Sequence, residues 1–139
     1  MLESLAVAPA SARAAEKDLV KQRRAIAIAC GDPSPALRAR AVQLAALVPL
    51  RDPDFWRVAL QDDAPMVRGF AAAGAVDVRA RGARSLLLEA LEREHDDAAF
   101  GAMHRAIAKA LQAPAPPCDP SNEAGRARAL AHWRSACAQ

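Results

Sequence analysis

Asp32-Pro33-Ser34-Pro35-Ala36-Leu37-Arg38 and Asp62-Asp63-Ala64-Pro65-Met66-Val67-Arg68 share the pattern D-x-x-P-x-[L/V]-R at an offset of 30 residues. Helical sequence follows both, from Ala39 to Leu47 and from Gly69 to Val76, with Ala41 and Ala71 in the same place. An Asp or Ser ahead of a helix accepts hydrogen bonds from N–H groups that lack partners inside it, and a proline in the first turn has no N–H to leave unpaired. The motif therefore predicts a helix start, used twice. Leu37, Ala41, Leu44 and Val48 recur at helical spacing and predict one apolar stripe. A weaker third copy follows His95-Asp96-Asp97, with Phe100, Met103, His104, Ile107 and Leu111 on the stripe but without the Pro and the Arg.

Composition agrees with helices. The chain of 139 residues holds 37 alanines, three phenylalanines, two tryptophans and no tyrosine. Alanine is the best helix former, whereas a sheet needs the β-branched and aromatic residues that are scarce here, so the expected class is all-α. No apolar run is long enough to cross a bilayer, and Met1 to Ala10 has no basic leading segment and carries Glu3. Cys30, Cys118 and Cys137 are odd in number and in no C-x-x-C pair, which suggests neither a disulfide framework nor a zinc site. A cytoplasmic protein is expected. The net charge of +3 divides into +3, −3 and +3 over residues 1–50, 51–100 and 101–139. An acidic middle interrupts the continuous basic face that a nucleic-acid binder usually carries.

Partner helices fall between the starts. Ser11 to Cys30 is predicted as one, with Leu19, Ile26 and Cys30 inward and a stop at Gly31. Asp52 to Leu60 is a second, with its own Asp cap and first-turn Pro53, and Gly82 or Ala83 to Glu94 is a third. The expected organisation is a single domain: a flexible segment 1–10, three helix pairs over 11–111, an extended Pro-rich linker over 112–120, and a last helix over 121–139. That helix, which includes Leu130, Trp133 and Cys137, is either a fourth repeat or a lid over an open end.

On these two motifs the chain resembles the HEAT-repeat family, and specifically the short bacterial, phycobilin-lyase-type HEAT repeats, over residues 15–111. The resemblance implies a right-handed α-solenoid of antiparallel helix pairs. It also implies that Asp32 and Asp62 (or Asp63) cap the second helices, while Arg38 and Arg68 tie adjacent turns together. Most members are concave platforms for other proteins, and a minority bind chromophores, metals or alkylated DNA.

No residues suggest a reaction. Glu92 and His95 form a single E-x-x-H, too few ligands for a di-iron site and otherwise a solvated helix end. There is no G-x-S-x-G and no phosphate loop, and Gly69, Gly74, Gly82 and Gly101 are scattered as close-packing points or helix ends. Neither catalysis nor a cofactor is expected. Trp56 either fills the core beside Phe55 or anchors a partner from the surface. His104 either lines a groove or is a buried, hydrogen-bonded histidine. Arg40, Trp56, Phe70 and His104 are the candidate partner-binding residues. Arg38, Arg40, Arg68, Arg79, Arg81 and Arg84 form a possible ridge. The expected function is a scaffold binding another protein through its second helices, with homodimerisation open. The alternative is nucleic-acid backbone binding through the Arg-bearing helices, as in the HEAT-like DNA glycosylases, and a lyase-like role is a third reading.

Overall fold

Prolines set three of the helix starts. In the computed structural model, which describes residues 9–138, Pro35, Pro53 and Pro65 are the first residues of α2 (Pro35–Leu47), α3 (Pro53–Ala59) and α4 (Pro65–Asp77). Their ring-fixed φ suits a first turn, and the N–H they lack would have had no partner there. The other elements are α1 (Ala10–Ala29), α5 (Ala83–Arg93), α6 (Asp97–Leu111) and α7 (Glu123–Cys137), and there is no strand among the described residues. Most of the flexible segment expected at 1–10 lies outside the described residues, and Ala10 already begins α1.

The helices pack in pairs, α1 with α2, α3 with α4, and α5 with α6. The second helices stack on one another in the order α2, α4, α6, which makes a solenoid-like arrangement, and α7 lies against α5. Each second helix ends alike. The N–H groups of Leu50, Ala80 and Ala113 donate to the carbonyls of Ala45, Ala75 and Ala108, five residues back. Such bonds satisfy carbonyls that the helix itself leaves over. Arg79 and Gln112 adopt φ of 54° and 52° to make two of these closures.

Alanine sets the spacing of the stack. Ala41, Ala45, Ala71, Ala72 and Ala75 are buried on α2 and α4, the helices at the middle of the stack, where such small side chains let backbones approach closely while larger side chains fill the remaining volume. The largest of these is Trp56, which has no exposed surface and therefore belongs to the core rather than to a partner-binding surface. Its Nε1–H donates to the Leu50 carbonyl at 2.7 Å, and Phe55 meets it edge-on with ring centroids 4.9 Å apart. The ring lies over Gly74 so closely that a Cβ there would stand 2.6 Å from two of its carbons.

Two inward assignments change. On α1 only Ile26 is buried, and Leu19 is 39% exposed because, among the described residues, α1 packs chiefly on α2. On α2, Leu37 and Leu44 are exposed while Ala39, Val42 and Ala45 are buried alongside Ala41, so the predicted stripe faces away from α4. The Pro-rich segment is extended but not a free linker: Pro116 and Cys118 are partly buried, and the Pro116 carbonyl is bonded to His104 of α6.

Gly74→Ala is expected to destabilise the protein by about 1–3 kcal/mol, because a buried indole held by its own hydrogen bond must move. A urea titration followed by tryptophan fluorescence measures this, and an unchanged midpoint would show that the ring shifts without cost.

Candidate functional site

The turns that precede the second helices share one geometry, and their side chains join them into a ladder. Asp32 Oδ1 accepts the Ser34 N–H, Asp62 Oδ1 the Ala64 N–H, and Glu94 Oε1 the Asp96 N–H, each two residues ahead. These N–H groups belong to the N-cap residues of α2, α4 and α6. Asp32 and Asp62 thus brace the turn rather than cap the helix. The caps are Ser34, whose Oγ accepts the Leu37 N–H, and Ala64, which offers no side-chain acceptor. Asp63 caps nothing; it is 91% exposed and pairs with Arg38 at 2.7 Å.

Each arginine binds its own turn and the next. Arg38 Nη1 donates to the carbonyls of Asp32 and Pro33, while its Nε and Nη2 fork onto Asp62, both at 3.0 Å. Arg68 repeats this one unit along, with Nη1 on the Asp62 carbonyl and Nε and Nη2 on Glu94 at 2.6 and 2.7 Å. A fork of two parallel charge-assisted bonds fixes direction as well as distance. The third rung differs. Phe100 stands where an arginine would, and Arg126 of α7 lies over its ring, 5.4 Å from the centroid, reaching the His95 carbonyl, Asp97 and its own Pro120 carbonyl. The start of α7 therefore resembles a fourth joint, yet the helix lies against α5 rather than extending the row of second helices.

Glu94 is the residue that motif reading misses. It is read there as part of a solvated helix end, but its side chain is only 2% exposed. Burial alone pushes its carboxyl up, but the Arg68 fork and the Asp96 N–H outweigh burial and hold it below its ordinary value. Asp62 behaves the same way beneath Arg38 and the Ala64 N–H. His104 is buried as well, so it lines no open groove. Its Nε2 faces the Pro116 carbonyl at 2.8 Å and its Nδ1 accepts the Trp133 Nε1–H at 2.8 Å, which satisfies the ring in its neutral form with the proton on Nε2. Trp133, fully buried, thereby docks α7 and the Pro-rich strap on α6.

Arg40 and Phe70 remain at the surface. They are register-equivalent, as are Leu47 and Asp77, and they stand on the side of α2 and α4 that the stack leaves uncovered. Lys109 of α6 reaches Asp77 at 2.7 Å across this face. Met66, Gly69 and Phe70 with Ala98 and Ala99 line a shallow cleft of about 300 Å³ between α4 and α6. The arginines form no single ridge: Arg38 and Arg68 sit in the first turns of their helices, whereas Arg79, Arg81 and Arg84 lie beyond the end of α4, which is about 14 Å from Arg68 at 1.5 Å per residue. Glu92 pairs with Arg134 at 2.9 Å, and no group of three His, Cys, Asp or Glu among the described residues is placed to hold a metal ion. No helix among the described residues is long and apolar enough to cross a membrane. No family model, curated protein or solved structure matches the chain.

Two outcomes follow from the ladder. Arg68→Gln removes the fork that supplies two of the three hydrogen bonds to the buried Glu94 carboxylate and is expected to cost about 3 kcal/mol at neutral pH, read as the shift in denaturant midpoint. Carboxyls held low in the folded state contribute stability that is present above their unfolded value, about 4, and is lost as pH falls through the folded values. The melting temperature should therefore hold between about pH 5 and 7 and drop below about pH 4. The Arg38→Gln, Arg68→Gln double variant should show a shallower acid limb; an identical limb would mean that other groups govern it.

Proposed function

We propose that this chain is a non-catalytic, HEAT-like scaffold that binds another protein through the exposed face of α2, α4 and α6. The observation that carries this reading is the set of large apolar side chains held on that face. Leu47, Met66 and Phe70 are 79%, 48% and 37% exposed, on helices whose other sides are locked into the core. Large apolar groups on a rigid surface with charged neighbours suit a protein interface, since little conformational freedom is lost on docking. Arg40 flanks the row on α2, and Arg105 and Lys109 flank it on α6. Three unpaired cysteines suit the cytoplasm as its setting. The nucleic-acid reading is weakened by the ladder, because Arg38, Arg68 and Arg126 already spend their donors on carboxylates and carbonyls.

The test is affinity capture from the source organism with the tagged full chain and a Leu47→Glu, Phe70→Glu variant of matched melting temperature. A protein retained by the parent chain, lost by the variant and rebound when purified supports the reading. Equal retention by both chains overturns it, as does a bound fraction that nuclease removes.

A further inference from the structure

The ladder has an unfilled first rung. Asp32 occupies the same place as Asp62 and Glu94, bracing the N–H two residues ahead, but those two each receive an arginine fork from the second helix before them. Asp32 receives none from any described residue. The face of α2 that leads toward the missing unit is open in the same register. Leu37, Leu44 and Val48 correspond to Val67, Gly74 and Val78 of the next unit, which are buried, whereas Leu37 is 53% and Leu44 39% exposed. With Ile26 and Ala29 of α1 these residues line an apolar groove of about 540 Å³.

We propose that this end of the stack binds an amphipathic helix of a partner protein, in the manner in which α4 binds α2. The occupant carries an arginine that forks onto Asp32 and, one, four and seven residues after it, small apolar side chains corresponding to Ala39, Val42 and Ala45 of α2. Charge and register select this occupant over the two nearest ones. Residues 1–8 of the chain contain no Arg or Lys. A second copy stacked head to tail presents its α6 end, where Phe100 stands in place of the arginine and Arg126 is already engaged. Arg40 and Leu47, at the edge of the α2–α4–α6 face, also line this groove, so the two sites adjoin, while the unforked Asp32 and the exposed Leu44 belong to this end alone.

A fluorescein-labelled synthetic peptide of residues 32–49, which contains α2 and Arg38, serves as the probe, titrated into the full chain by anisotropy. Saturable binding is expected. Asp32→Asn in the chain, which keeps an oxygen for the Ser34 N–H, and Arg38→Gln in the peptide should each weaken it about tenfold, with little further loss when combined. Leu44→Gln, at an exposed position, should weaken it too, and the peptide substitution tests the fork without touching the protein's own fold. The proposal is overturned by no saturable binding at millimolar chain, or by affinity indifferent to both Asp32→Asn and the peptide substitution. It is also overturned by a full chain that dimerises in sedimentation and becomes monomeric with Leu44→Gln, since a second copy would then fill the groove.

Discussion

The guanidinium that bonds its own turn and the following one at once is the contact on which this architecture turns. A planar group with five donors can serve a backbone carbonyl on one edge and a carboxylate on another without changing rotamer, and lysine cannot. Each arginine therefore fixes three things together: the shape of its own turn, the position of the next, and the direction from one to the other. The carboxylate completes the link by holding the N-cap residue ahead of the next helix. Alanine-rich helices supply little side-chain volume with which to specify a unique packing, so polar joints at one edge carry much of the register, while Trp56, Phe100 and Trp133 supply bulk within.

Buried ion pairs seldom add much net stability, because desolvation offsets their attraction. Their contribution here is geometric. Removing one partner leaves a carboxylate such as Glu94 in surroundings that disfavour its charge, so the cost of breaking a rung exceeds the benefit of having made it.

The two helix starts were legible in D-x-x-P-x-[L/V]-R and the paired organisation in the helical segments between them, while the roles of Arg38 and Arg68 as links were legible only through the family resemblance. The third helix start was read after His95-Asp96-Asp97, but its acceptor Glu94 escaped because three features changed together. Glutamate replaces aspartate, the proline is missing, and the spacing grows from 30 to 32 residues, so Glu94 is revealed as the equivalent of Asp62 by the bond to the residue two ahead and by the Arg68 fork. Trp56 was undecidable for a different reason: α3 has only seven residues, too few for periodicity to say which side faces inward. Leu37 and Leu44 have the spacing of a core stripe, and their exposure depends on what lies beyond α1 and α2, which no local pattern encodes. Of the two readings of His104, the buried, hydrogen-bonded one holds, because the Pro-rich strap and Trp133 close over it.

The substitution of Phe100 for an arginine gives the stack a polarity with evolutionary weight. Units that touch only their neighbours can multiply by duplication, provided that every new junction finds its donor and acceptor. Copying the segment from α1 to α4 would generate another intact link, since it carries both the aspartates and the arginines. Copying α5 and α6 would not, because that pair brings an acceptor without a donor. By this chemistry the stack has a donor and an acceptor ready for lengthening toward its head, whereas at its tail an aromatic ring stands in the donor's place and the next acceptor would have no partner.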